Sequence, residues 1–144
     1  MSVIMTIAKE FSWEMSHRLP AHKGHCKNIH GHSYKLRLEV DGTLDENGMV
    51  LDYYCLSSIM ARVINDLDHC FVVDKNDSIM LKFLQENDFK HYILENSTSA
   101  ENIAIHISQT LRPILIKYKN LLSFKIRLYE TATVFAEVST SLID

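Results

Sequence analysis

The sequence predicts an α+β fold: a four-stranded antiparallel sheet with two helices on one face, in the order β-β-α-α-β-β. Three observations carry this expectation. Apolar and polar residues alternate from Phe11, from His32 and again from Phe124, which is the period of a half-buried strand. Two stretches between them repeat apolar residues every three or four positions, the period of a helix with one buried face. No internal repeat, low-complexity run or Pro/Gly-rich linker interrupts the 144 residues, so 1–144 reads as a single domain.

Each element follows from its residues. Phe11, Trp13, Met15 and His17 share one face of the first strand. In the second, His32, Tyr34, Leu36, Leu38 and Val40 alternate with Ser33, Lys35, Arg37 and Glu39. Asp41-Gly42 and Glu46-Asn47-Gly48 supply turn chemistry, because Gly and Asn tolerate left-handed backbone. Leu56, Ile59, Met60, Val63, Ile64 and Leu67 form a helical stripe, with Asp52 placed to cap it. A second stripe runs Ile103, Ile107, Leu111, Ile114, Leu115 and Tyr118. Ahead of it, Thr98-Ser99-Ala100-Glu101 has the form of a capping box, which assigns Glu101 to capping. Pro113 should kink this helix or end it early. Phe124, Ile126 and Leu128, then Val134, Ala136 and Val138, form a closing hairpin around Thr131-Ala132-Thr133. Between Val73 and Asn96 the pattern is weak: Ser78–Leu84 fits a short helix, flanked by solvated loops at 74–77 and 86–88.

Composition excludes several classes. Fifteen basic against eighteen acidic residues give a net charge of −3, which argues against a nucleic-acid binder. Apolar runs fall far short of the roughly 18 residues needed to span a membrane. The N-terminal MSVIMTIAKEF lacks the basic and long apolar regions of a secretory signal. Three Cys without framework spacing fit a reducing compartment, so a cytoplasmic location is expected. Enzymes this small often complete a site by oligomerising. One count stands out: there are eight His, and His17, His22, His25, His30 and His32 fall within sixteen consecutive residues.

His30-Gly31-His32 places two imidazoles on one face of a strand, with a glycine leaving room between them. Antiparallel pairing brings His17 alongside. Three His on a rigid sheet leave a fourth position open on a tetrahedral metal, which is a catalytic arrangement; zinc is the preferred ion, though imidazole suits others. Cys26, between Lys23 and Lys27, reads three ways: a thiolate base or nucleophile, a fourth metal ligand, or an ordinary loop thiol. Cys55 and Cys70 read as packing thiols. From Met15 to Leu38 there are five Lys/Arg and no acid, a local positive field suited to an anionic substrate or simply a solvated face. Asp68-His69 is either a proton-transfer pair or a helix-terminal cap. Glu130 continues the parity of Phe124, Ile126 and Leu128, so it points coreward unless the strand has already ended. His22, His25, His91 and His106 are expected to be structural or solvent-facing.

Together these residues resemble the 6-pyruvoyl-tetrahydropterin synthase and 6-carboxytetrahydropterin synthase family. The matching pieces are Phe11…Ser16-His17-Arg18-Leu19, the run from Cys26 to Tyr34, Gly48–Tyr53, Leu67-Asp68-His69, Thr98–Asn102 and Tyr129-Glu130-Thr131, in the family's order across nearly the whole chain. The resemblance implies the tunnelling fold and a homohexamer built as a dimer of trimers, with sites at subunit interfaces. It implies zinc on His17, His30 and His32, and Cys26 as general base. Asp68 and His69 would complete a proton relay across a subunit boundary, and Glu130 would anchor the pterin ring with help from Thr98. The implied substrate is 7,8-dihydroneopterin triphosphate.

The short Cys26–His30 spacing and the absence of acid between Glu14 and Glu39 resemble the bacterial carboxy-forming branch, which feeds 7-deazaguanine and queuosine synthesis. The pyruvoyl-forming reaction is the alternative. A zinc- and pterin-binding protein without catalysis would not need Cys26, Asp68 and His69, all of which are present. Trp13-Glu14-Met15, Cys70 and the long 73–96 segment depart from the family pattern.

Overall fold

In the computed structural model, which describes residues 3–144, the chain runs β1 (Met5–His17), a single 3-10 turn (His25–Lys27), β2 (His30–Gly42) and α1 (Tyr53–Leu67). It continues through β3 (Cys70–Asp74), α2 (Ser78–Glu86), β4 (His91–Leu94), α3 (Ala100–Leu115), β5 (Leu121–Tyr129) and β6 (Phe135–Ser141). Met1 and Ser2, at the head of the stretch inspected for a signal, lie outside the described residues.

The expected order of strands and helices is present, but it is incomplete. Among the described residues the sheet has six strands in the order β4-β3-β1-β2-β5-β6, and there are three α-helices rather than two. It is also mixed: β1/β2, β2/β5 and β5/β6 pair antiparallel, whereas β1/β3 and β3/β4 pair parallel. Two strands were missed, β3 and the four-residue β4; β3 reads Cys-Phe-Val-Val-Asp with its first four residues buried. A strand covered on both faces has no period-2 signal to find.

Nor do the helices share one face. Cys70 and Val72 join the main core under α1 and α3, while Phe71 and Val73 pack with Met80 and Leu84 of α2. Because successive strand residues point to opposite sides, α2 covers the face that α1 and α3 leave open.

Local chemistry sets the helix boundaries. Asp52 accepts a hydrogen bond from Tyr54 N–H at the head of α1. At α3 the cap is Ser99, whose hydroxyl accepts from Asn102 N–H, one residue later than the capping box proposed. Pro113 sits in the last turn and the helix ends at Leu115, so the proline shortens the stripe that ran on to Tyr118. The main core is continuous along β2 and β5: Leu36, Leu38, Ile126 and Leu128 are fully buried against Leu56, Met60, Ile107 and Leu111. Among the described residues, no helix is long and apolar enough to cross a membrane.

Candidate functional site

Strand register assembles the site. Pairing β1 with β2 sets His17 opposite His30 and Met15 opposite His32, so alternation turns all three imidazoles toward the α1/α3 side at one end of the sheet. Gly31 lets the two strands stay close there: a Cβ on it would lie 3.2 Å from the Met15 carbonyl oxygen. The imidazole centroids are 4.6, 5.2 and 5.0 Å apart. One ring nitrogen from each falls within 4.8 Å of the others.

The hydrogen bonds behind the rings fix which nitrogen faces inward. His17 Nδ1 donates to the Thr98 carbonyl and His30 Nδ1 to the Asn28 carbonyl, each at 2.7 Å. A carbonyl only accepts, so Nδ1 carries the hydrogen and Nε2 presents a lone pair. Among the described residues, His17 Nε2 and His32 Nε2 are buried with no hydrogen-bond partner. Burial lowers the His17 pKa to about 4, aided by the His30 and His32 charges and opposed by Thr98; burial lowers His32 as well. Neutral imidazoles with orphaned lone pairs converging on one point are what a divalent metal ion requires, and the residues present fit one.

Glu130 follows β5 and bears out the parity that aimed it coreward. Its two carboxylate oxygens lie 3.9 Å from His17 Nε2 and 3.9 Å from His32 Nε2. Thr98 is fully buried. Its carbonyl serves His17, and its hydroxyl donates to the Arg18 carbonyl at 3.1 Å, so its polar atoms work behind the His17 imidazole.

Cys26 is half-buried in the 3-10 turn, and its carbonyl accepts from Leu19 N–H at 2.7 Å. Its sulfur is not part of the close group of ligand atoms. Asp68 closes α1, and its carboxylate accepts from Glu14 N–H at 3.1 Å and from His69 Nδ1 at 2.8 Å. These bonds, the Glu14 amide foremost, hold the Asp68 carboxyl below its usual range. His69 adopts left-handed backbone with φ of 59° and donates its N–H to the Glu14 carbonyl. Asp88, in the turn after α2, shares this backbone with φ of 55°, and left-handed backbone just past a helix end is a common way to close a helix.

Two hollows meet beside the histidines. One, of about 580 Å³, includes His69, Ser16, Phe71, Phe83 and Phe89 in its lining; the other, of about 590 Å³, includes Lys35, Tyr129 and Glu130. Gly31, His32 and Ser33 line both. Each is within the size range of small-molecule pockets.

Sequence reasoning missed Tyr34 as anything but core. It is fully buried, and its hydroxyl lacks a partner among the described residues. Its ring centroid is 5.4 Å from that of His32, and burial with the nearby Glu130 charge pushes its pKa up. Its shared parity with His30 and His32 was the available signal. The acid-free segment is less positive in space than in sequence: Arg18 pairs with Asp77, Lys35 with Glu10 and Arg37 with Glu39. Lys23 and Lys27 have no ion pair among the described residues. His22 and His25 lie outside the metal-competent group, as do His91 on β4 and His106 on α3. Burial pushes the Cys70 pKa up to about 12, which suits a packing thiol, and Cys55 meets the Tyr118 hydroxyl at 3.4 Å.

An α+β sheet with three convergent histidines at one end, and small-molecule hollows beside them, defines a metal-competent binding site on a pterin-synthase-like scaffold. The family model for 6-pyruvoyl tetrahydropterin synthase matches residues 6–141, and the chain belongs to that family. A 6-carboxy-5,6,7,8-tetrahydropterin synthase of Haemophilus influenzae is 41% identical over 140 residues, covering 91% of this chain and 96% of its own. One of the same name from Rickettsia typhi is 30% identical over 133 residues, covering 90% and 96%. A solved 6-pyruvoyl tetrahydropterin synthase of Plasmodium falciparum shares the fold, with a TM-score of 0.77 and 21% identity over 98% of this chain and 99% of that one.

Proposed function

We propose that this chain is a zinc-dependent lyase that converts 7,8-dihydroneopterin triphosphate to 6-carboxytetrahydropterin, acetaldehyde and triphosphate. The observation that carries the reading is the trio His17, His30 and His32, with lone pairs converging within 4.8 Å. The names of the full-length relatives support the carboxy-forming reaction. On this reading 1–144 is one pterin-synthase-like domain acting in the cytoplasm, on a route to 7-deazaguanines such as queuosine.

A zinc ion held by the three imidazoles would supply Lewis acidity toward a side-chain oxygen of the substrate and lower the cost of negative charge there. The protein does the rest. Thr98 and Asn28 carbonyls orient two of the imidazoles and keep the Nδ1 hydrogen in place, leaving Nε2 toward the metal. Glu130 accepts the amino and ring N–H groups of the pterin, fixing its side chain toward the histidines. Cys26, as thiolate, removes a proton from the substrate side chain, and separation from the ligand group suits it to acid–base work. His69, oriented by Asp68, returns a proton. The triphosphate leaves toward Lys23 and Lys27, the cations of this segment without an acidic partner among the described residues.

Two exposed sheet edges support assembly as a homohexamer, a dimer of trimers. Among the described residues β6 has no strand beyond it, and β1 meets β3 only at Met15 and Ser16, so most of its outer edge is open to another copy. His69 would then serve a neighbouring copy's site.

The family's other activity, elimination of triphosphate with the side chain retained, is the competing reading, motivated by the family model's own description. Mass spectrometry of the products formed from 7,8-dihydroneopterin triphosphate separates them. Acetaldehyde with a carboxypterin supports the proposal, 6-pyruvoyltetrahydropterin supports the alternative, and pterin binding without turnover would mean a non-catalytic protein.

A further inference from the structure

We infer that the Arg18–Asp77 pair is a positioning device for the metal centre, making the head of α2 an outer support of His17. Arg18 follows His17 directly in the chain. Its Nε and Nη2 each donate to one oxygen of the Asp77 carboxylate at 2.7 Å, a two-pronged geometry that fixes the guanidinium plane. The side chain of Asp77 is 3% exposed and that of Arg18 20%, so the pair is shielded from water.

Both partners are tied further. Asp77 Oδ1 also accepts from Met80 N–H at 3.3 Å, so the same carboxylate caps α2. The Arg18 carbonyl accepts from the Thr98 hydroxyl, and the Thr98 carbonyl in turn accepts from His17 Nδ1. On the other side, Leu19 N–H donates to the Cys26 carbonyl. Arg18 therefore sits at the junction of three elements: the end of β1, the start of α2 and the residue before the α3 cap. Holding its side chain still holds the backbone that carries His17 and receives Thr98. Groups that orient a metal-binding imidazole commonly change metal affinity 10–100-fold when removed.

The inference rests on the three-histidine metal centre but not on which pterin product is made. The test is zinc affinity, measured on the full chain by competition with a chromophoric chelator, together with the visible spectrum of the cobalt-substituted protein. Asp77→Asn keeps an oxygen to cap α2 and removes the charge that holds Arg18. It is expected to weaken zinc binding about 10-fold and to alter the cobalt band shape. Leu84→Ala loosens α2 through its packing without touching Arg18, and is expected to lower the thermal midpoint while leaving zinc affinity at the wild-type value. Equal zinc affinity in Asp77→Asn and wild type would overturn the inference, and so would Leu84→Ala weakening zinc as much as Asp77→Asn does. Failure of the wild-type protein to bind zinc or cobalt would instead overturn the metal centre itself.

Discussion

The three-histidine end of the β1–β2 pair and the β3–α2–β4 segment lie next to each other and are held in different ways. β1 and β2 pair without a break over thirteen positions, with Tyr34, Leu36, Leu38 and Val40 fully buried beneath them. The neighbouring segment joins the sheet through two residue pairs of β1 and β3. Its face on the α2 side rests on Phe71, Val73, Met80 and Leu84, with Arg18–Asp77 as its polar anchor. Three imidazoles can converge only on backbone that does not drift, and the long register supplies that. A segment with few buried contacts opens at lower free energy, which suits the wall of a pocket better than a ligand set.

The sharpest break in this comparison is His32→Ala, which leaves two imidazoles on the rigid pair. Metal affinity should fall by more than about 100-fold, beyond the loss typical of outer supports, as read by calorimetric titration with zinc; an unchanged affinity would remove His32 from the ligand set. Leu36→Ala in the main core should cost about 4 kcal/mol and Leu84→Ala about 2 kcal/mol in denaturant unfolding, toward the upper and at the lower end of the range for such truncations. Hydrogen exchange sharpens the same contrast: amides of β3, α2 and β4 should exchange well before those of β1 and β2.

Asp77 gives the segment a pH signature. Arg18 holds its carboxyl below the usual carboxylate range, so the unfolded chain takes up the proton first as pH falls. The stability from this group is complete above the ordinary carboxylate pKa of about 3.9 and is lost as pH drops toward the folded value. The difference in thermal midpoint between wild type and Asp77→Asn should therefore be flat from about pH 8 to pH 5 and shrink below about pH 4. A difference that grows on acidification would contradict the pairing. The smallest effect is at α3, where Ser99→Ala should cost about 1 kcal/mol and Thr98→Ser, which keeps the hydroxyl, much less.

The contrast also explains what could be read from residues alone. Alternation marked β1, β2, β5 and β6, and the shared parity of His17, His30, His32 and Glu130 placed them on one face, because a half-buried strand writes its orientation into its sequence. β3 was silent because Phe71 and Val73 are as apolar as Cys70 and Val72, although they face opposite ways. α2 was visible as a stripe, but nothing local says which side of the sheet it covers; that depends on Phe71 and Val73 pairing beside Met15 and Ser16, far away in sequence. The Arg18–Asp77 bond is equally non-local, spanning 59 positions. Tyr34 was hidden by its own type, since a buried tyrosine reads as core until its hydroxyl is found without a partner.

The most direct test of the site is zinc content and turnover measured together on Cys26→Ala. An open three-histidine centre with a separate acid–base thiol should keep one zinc per chain at wild-type affinity and lose turnover by about 10²–10⁴-fold. Loss of the zinc along with the activity would make Cys26 a ligand and contradict that centre.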